Sequence, residues 1–140
     1  MGVTFHNTNL RAITLEITHL DHLVLTVTDI NTTLAFYNQV LGMDIHQYGE
    51  GRFALQFGNQ KINLHQYGKE FLPKAKFPIP GSADLCFITK TPLHRVIQEL
   101  QEHAIDVFEG PVERMGASGT MLSVYFRDPD QNLIEISNYI

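Results

Sequence analysis

Two short runs of aliphatic and β-branched residues decide the fold: Leu23-Val24-Leu25-Thr26-Val27 and Leu85-Cys86-Phe87-Ile88. Runs of this kind are typical of strands. The segment from Asp29 to Leu41 follows the first run and carries apolar residues at helical spacing. Asp29 or Asn31 suits the start of this helix, and Gly42 suits the left-handed position at its end. The first run therefore predicts a strand followed by a helix.

The second run begins the same pattern again. Thr91 is expected to cap the next helix and Pro92 to occupy its first position, ahead of an apolar stripe from Leu93 to Ala104. The turn at Asp128-Pro129-Asp130 precedes the last strand. Strands are also expected at Met43–Tyr48, Arg52–Phe57, Lys61–His65, Ile105–Glu109, Met121–Phe126 and Asn132–Asn138.

The order βαβββ thus occurs twice, and this repeat predicts an α+β fold. The units cover about residues 19–66 and 83–139, and residues 67–82 link them. We expect the two βαβββ units to form an open, partly closed sheet around a cleft, because each unit alone leaves a sheet edge unpaired. Residues 1–17 are predicted to be an N-terminal extension, and residues 18–140 a single domain.

The composition restricts the class of function. The chain has 140 residues, of which 44% are hydrophobic, and a formal net charge of −5. This composition predicts a folded domain, and the mild acidity argues against nucleic acid or a membrane as partner. The single cysteine excludes an internal disulfide and a cysteine-cluster zinc site. Because no signal peptide or membrane span is evident, we expect a cytoplasmic protein.

Alternation along the strands places polar side chains on one face of each unit. The opposite faces are apolar and suit packing under a helix. Imidazole, carboxylate and amide groups that converge in a cleft are the ligands of a divalent metal. Taken singly, each of these residues reads as solvent-facing, and only the repeat brings them toward one centre. The residues on the polar face are His22, Asn63, His65, Asp84 and Glu135.

Two further residues are candidates for contact with a substrate. Cys86 lies two residues beyond Asp84 on the cleft side, where a small lining side chain is a simpler interpretation than a nucleophile. Arg114 is a candidate contact for an anionic group. Its other interpretation is that of a solvated surface residue.

The motifs resemble those of the vicinal oxygen chelate superfamily, which includes glyoxalase I, bleomycin- and fosfomycin-resistance proteins and extradiol dioxygenases. The resemblance covers residues 19 to 139. Within it, the chain is most similar to glyoxalase-domain-containing, virulence-associated proteins. The matching segments are residues 20–27, Ala35-Phe36-Tyr37 with Leu41-Gly42, residues 109–119, and Tyr125 to Asp130 followed by Leu133-Ile134-Glu135.

The resemblance implies a glyoxalase-like fold and a metal site. It matches the first-strand ligand to His22 and the last-strand glutamate, also a catalytic group, to Glu135. Asp84 stands where the family usually has histidine, and Asn63 where glyoxalase I has glutamate. His65 is a second possible ligand or cleft residue beside Asn63. The implied cofactor is a divalent metal, with Ni, Mn, Fe, Mg and Zn all open.

Three functions follow from the resemblance. The first is a metal-dependent lyase or isomerase, similar to lactoylglutathione lyase, acting on a small oxygenated molecule chelated to the metal. The second is a non-catalytic resistance-type protein that sequesters a small molecule. The third is an extradiol-type dioxygenase, against which Asp84 argues. The resemblance also implies a homodimer whose sites lie within one chain or between two.

Overall fold

A computed structural model describes residues 14–140. The predicted N-terminal extension, residues 1–17, therefore lies mostly outside the described residues. The described chain contains two helices and eight strands in the order βαβββ–βαβββ. The elements are β1 His22–Val27, α1 Ile30–Gln39, β2 Asp44–Tyr48, β3 Arg52–Phe57, β4 Gln60–Gln66, β5 Asp84–Ile88, α2 Leu93–Glu102, β6 Glu109–Gly116, β7 Gly119–Arg127 and β8 Leu133–Tyr139.

The two halves have the same topology, which confirms the predicted repeat. The first half forms a four-stranded sheet in the order β1-β4-β3-β2, and the second a sheet in the order β5-β8-β7-β6. The first and last strands of each half pair in parallel, whereas the other pairs are antiparallel. Both sheets are open rather than closed into barrels. In the first half, Val24 pairs with Asn63, and in the second, Cys86 pairs with Glu135.

Helix α1 begins and ends as its sequence predicts. The Asp29 side chain accepts a hydrogen bond from the Thr32 N–H at 3.0 Å and so caps the helix. Gly42 has φ of +70°, the left-handed conformation that glycine adopts readily, and its N–H donates to the Asn38 carbonyl.

Two local predictions in the second half are wrong. The strand expected at Ile105–Glu109 is not formed, because β6 begins only at Glu109 and continues to Gly116. Thr91 does not cap α2. Helix α2 begins at Leu93, whose N–H donates to the Asn138 side chain at 3.1 Å. A residue of β8 therefore supplies the cap, which local sequence does not reveal.

The helix-side faces of both sheets form one core. Leu25, Ile62, Phe126 and Ile134 are among its buried members, so the core takes residues from both halves. Phe57 and Phe87 meet edge to face with ring centroids 5.3 Å apart. Because these faces pack against each other, the opposite faces of the two sheets lie away from this core.

A buried carboxylate in the 128–130 turn also joins the halves. Asp128 is 3% exposed and accepts the Tyr37 hydroxyl at 2.6 Å, together with the Asn132 side-chain and backbone N–H groups. Burial, followed by the charge of Asp128, raises the pKa of Tyr37, which keeps the phenol protonated. Asp130 accepts a hydrogen bond from the Thr28 N–H, between β1 and α1. The predicted turn is thus also a tie between the two halves.

Candidate metal site

The strand faces carry the residues that the sequence predicts. On β1 and β4, Leu25 and Ile62 enter the core, which places His22, Asn63 and His65 on the opposite face. On β8, Ile134 and Ile136 are buried in the core, and Glu135 lies opposite. In each half the polar groups thus share the face that lies away from the core.

His22 is held in one orientation by its neighbour. Its Nδ1 donates to the Asp21 carboxylate at 2.7 Å, and the imidazole side chain is 45% exposed. The hydrogen bond with His22 lowers the pKa of Asp21, so this carboxylate stays charged. A histidine whose Nδ1–H is bound to a carboxylate presents Nε2 with a free lone pair, as in many metal sites. His22 is therefore preorganised to bind a cation through Nε2.

Asn63 carries an unsatisfied polar atom. Its Oδ1 is buried and has no hydrogen-bond partner among the residues described. A buried acceptor without a partner costs free energy, and it is a sign of an unmodelled water or ion. The position of Asn63 beside Val24 places it on the same sheet face as His22.

His65 occupies a more enclosed place on the same face. It is 9% exposed, and its ring meets Phe71 of the linker edge to face, with centroids 5.8 Å apart. Arg52 lies over the other side of the linker aromatic group, 4.2 Å from the Phe71 ring centroid. Burial lowers the pKa of His65 and favours its neutral form. The linker thus covers part of the predicted site.

Glu135 belongs to a hydrogen-bonded network on the second half. Its carboxylate accepts the Ser137 hydroxyl at 3.3 Å, and Ser137 also contacts the Ser123 hydroxyl at 2.7 Å. Cys86 Sγ lies 3.3 Å from the Ser137 hydroxyl. Burial raises the pKa of the Cys86 thiol, which argues for a lining residue rather than a thiolate nucleophile.

The sequence interpretation missed several members of this second network. Tyr125 pairs across the sheet with Glu135, and its hydroxyl accepts the Nε–H of Arg114 at 3.0 Å. Ser123 and Ser137 lie in the same sheet. Alternation along β7 and β8 would have placed these side chains on one face, but their contacts depend on the register between the strands, which the sequence does not print.

Within one chain, the predicted ligands do not meet. Residues 14–140 contain no group of three or more histidine, cysteine, aspartate or glutamate side chains close enough to hold a metal ion. Asp84 is exposed at the start of β5. A cavity of about 620 Å³ between β1, β5 and the linker is bordered by Thr26, His65 and Asp84, but not by His22 or Glu135.

This arrangement defines a class before any comparison is made. Two βαβββ halves, each presenting nitrogen and oxygen side chains on the sheet face away from the helices, are suited to holding a small ligand. The chain belongs to the glyoxalase/bleomycin resistance protein/dioxygenase superfamily, which it matches over residues 19–136.

Individual relatives agree with this assignment. The chain is 57% identical to the virulence protein STM3117 of Salmonella typhimurium over 129 residues, which are 92% of this chain and 90% of that protein. The crystal structure of that relative has a TM-score of 0.88 and matches over 90% of this chain and 100% of the other. The glyoxalase domain-containing protein RDO1 of Mycosarcoma maydis is 57% identical over 125 residues, 89% of this chain and 70% of that protein.

A more distant relative carries a chemical description in its name. The metallothiol transferase FosB of Staphylococcus epidermidis is 28% identical over 122 residues, which are 87% of this chain and 82% of that protein. In the part of this chain that the structure describes, no helix is both long and apolar enough to cross a membrane.

Proposed function

We propose that this protein is a metal-dependent, glyoxalase-like enzyme that acts on a small oxygenated molecule bound to a divalent metal. His22, Asp84 and Glu135 are the proposed ligands, and Asn63 is the proposed fourth donor. The observation that carries the proposal is the pairing on one sheet face of an oriented imidazole and a buried, unpartnered amide oxygen. Both features are explained if a cation binds between them.

The donor set fits a hard or intermediate cation. One imidazole nitrogen, carboxylate oxygens and an amide oxygen suit Ni, Mn, Fe or Mg and also accommodate Zn. Thiolate does not enter the set, since burial keeps the Cys86 thiol protonated. The name of FosB, a metallothiol transferase, supports metal-dependent chemistry in this superfamily.

A second copy of the chain would complete the site. The shared core turns the polar faces of the two halves away from each other, so one chain does not bring His22 and Glu135 into one cluster. Val24 and Ile88, on these same faces, are 44% and 50% exposed. We propose that the first half of one copy faces the second half of its partner, which would cover these apolar side chains and bring the ligands together.

The residues of this chain have distinct roles in the proposed reaction. A bound metal would polarise two neighbouring oxygens of the substrate as a Lewis acid. Asp21 would keep the His22 ring oriented, and Ser137 would hold the Glu135 carboxylate. Glu135 or Asp84 would accept the proton that leaves the substrate, because a carboxylate beside the reacting atoms is a suitable general base.

A mixing experiment tests the ligand set and the dimer together. His22→Ala and Glu135→Ala proteins are each expected to lose stoichiometric metal, and His94→Ala on the exposed surface of α2 is the matched control. Unfolding and refolding the two inactive variants together would create mixed dimers with one intact site, so metal binding should return to part of the population. Tight binding retained by both single variants would refute the ligand set. Loss of metal without recovery on mixing would place the site within one chain.

Non-catalytic sequestration of a small molecule is the second candidate. It is favoured by Asp84, which is an exposed carboxylate where a stronger nitrogen ligand is expected. A purified protein that binds its small molecule with no stoichiometric metal would support this alternative over the enzyme.

A further inference from the structure

A row of polar side chains beside Glu135 has no part in the function proposed above. Glu109 pairs across the sheet with Tyr125, and Tyr125 pairs with Glu135. Residues that lie opposite each other on neighbouring strands share a sheet face, with Cβ atoms about 4.5–5.5 Å apart. The three side chains therefore form one row across β6, β7 and β8.

Arg114 ties this row together. Its Nε donates to the Tyr125 hydroxyl at 3.0 Å, its Nη1 to the Glu113 carbonyl at 2.9 Å, and its Nη2 to the Glu109 carboxylate at 3.4 Å. The planar guanidinium thus uses each of its three nitrogens within the protein. A side chain bound in this way is poorly placed to be the direct anion contact that the sequence predicts.

The Tyr125 hydroxyl is left with a proton to donate. A phenol oxygen that accepts from a guanidinium still carries its own O–H, which is a donor. Tyr125 is only partly buried, and its cross-strand partner is the candidate ligand Glu135. The O–H group is thus available to an acceptor at the Glu135 side of the sheet.

We propose that Arg114 is a positioning residue that, with Glu109, fixes the Tyr125 phenol beside Glu135. Tyr125 then donates a hydrogen bond to an oxygen of the bound small molecule. The ligand class is a molecule with two neighbouring oxygens, of which one is a carbonyl or an oxyanion. This inference rests on the proposed function, because it takes Glu135 as a metal ligand.

Binding of acetohydroxamate, a simple chelator with two neighbouring oxygens, to the Ni-loaded protein tests the ligand contact. Tyr125→Phe and Arg114→Met are each expected to weaken binding about tenfold, as expected for loss of one hydrogen bond to a charged group. The double variant should bind no more weakly than Tyr125→Phe alone, because Arg114 acts through Tyr125. Additive losses would overturn the proposal. Arg127→Met, which removes a cation from the same strand as Tyr125, should bind normally.

A second measurement needs no metal. Tyrosine labelled at Cζ gives an NMR resonance for Tyr125, assigned by its absence in Tyr125→Phe. The resonance should move in Arg114→Met and in Arg114→Lys, since lysine lacks the planar fork that reaches both partners. It should not move in Arg127→Met. An unchanged resonance in both Arg114 variants would overturn the clamp, whereas failure of the native protein to bind Ni would refute the proposed function and leave this result standing.

Discussion

The two halves share one topology but differ in how their polar faces are satisfied. On the second half, Glu135, Ser137 and Ser123 are joined by hydrogen bonds within the sheet. On the first half, the Asn63 Oδ1 is buried without a partner, and His22 is fixed from one side only. The second face is complete in the isolated chain, whereas the first has an acceptor and a nitrogen still to be used.

This difference indicates a division of work between the halves. A network of satisfied hydrogen bonds holds side chains in place before a ligand arrives. An unsatisfied buried acceptor is instead a cost that a ligand would remove. We therefore interpret the second half as the preorganised wall of the site and the first half as the part that changes most in free energy when a cation binds.

The largest expected effect comes from separating the halves. Asp128→Ala removes the acceptor of the Tyr37 hydroxyl and of Asn132, all of which are buried. We expect the free energy of unfolding to fall by about 3 kcal/mol or more, because several hydrogen bonds to a buried charge are lost. Chemical denaturation followed by circular dichroism measures this fall. A loss below that of Tyr37→Phe alone would show that the turn does not join the halves.

A smaller effect is expected from the carboxylate behind His22. Asp21→Asn leaves the imidazole in place but weakens the hydrogen bond that orients its ring. Loss of a partner of this kind costs roughly 10- to 100-fold in metal affinity. Titration with Ni or Mn should show that loss at neutral pH, with no change in Asp29→Asn, which alters only the cap of α1. Equal affinity of Asp21→Asn and the native protein would contradict the role of Asp21.

Most of this fold and part of the site can be predicted from the sequence. The repeat of apolar runs and helix stripes predicts both halves, and strand alternation predicts that His22, Asn63 and Glu135 avoid the core. The role of Asn138 as the cap of α2 depends on a contact across 45 residues of chain, so local sequence instead indicates Thr91. The clamp of Arg114 on Tyr125 depends in the same way on the register of β6 with β7.

A matched pair of substitutions measures the difference between the faces directly. Asn63→Leu removes an unpaired buried acceptor, so we expect the metal-free protein to be stabilised by up to about 1 kcal/mol. Ser137→Ala breaks satisfied hydrogen bonds and should destabilise it by about 1 kcal/mol. Both are read from denaturation curves in the presence of a chelator. Destabilisation by both substitutions would show that the two faces are equally satisfied.

The smallest expected effect is a pH dependence that resides in the first half. Burial holds the pKa of His65 below its usual value, and Arg52 and Lys74 lower it further, while Glu70 acts in the opposite direction. Because the unfolded chain binds the proton more readily, the contribution of neutral His65 is present above the usual histidine pKa. It is lost as the pH falls through the lowered one.

Denaturation between about pH 7 and pH 5 should therefore show a decline in stability that is shallower in His65→Gln. His94→Gln, on the exposed surface of α2, is the control and should keep the native slope. An identical slope in the native protein and His65→Gln would mean that the cover provided by Phe71 does not keep His65 out of water. The first face would then be more open than its contacts with the linker indicate.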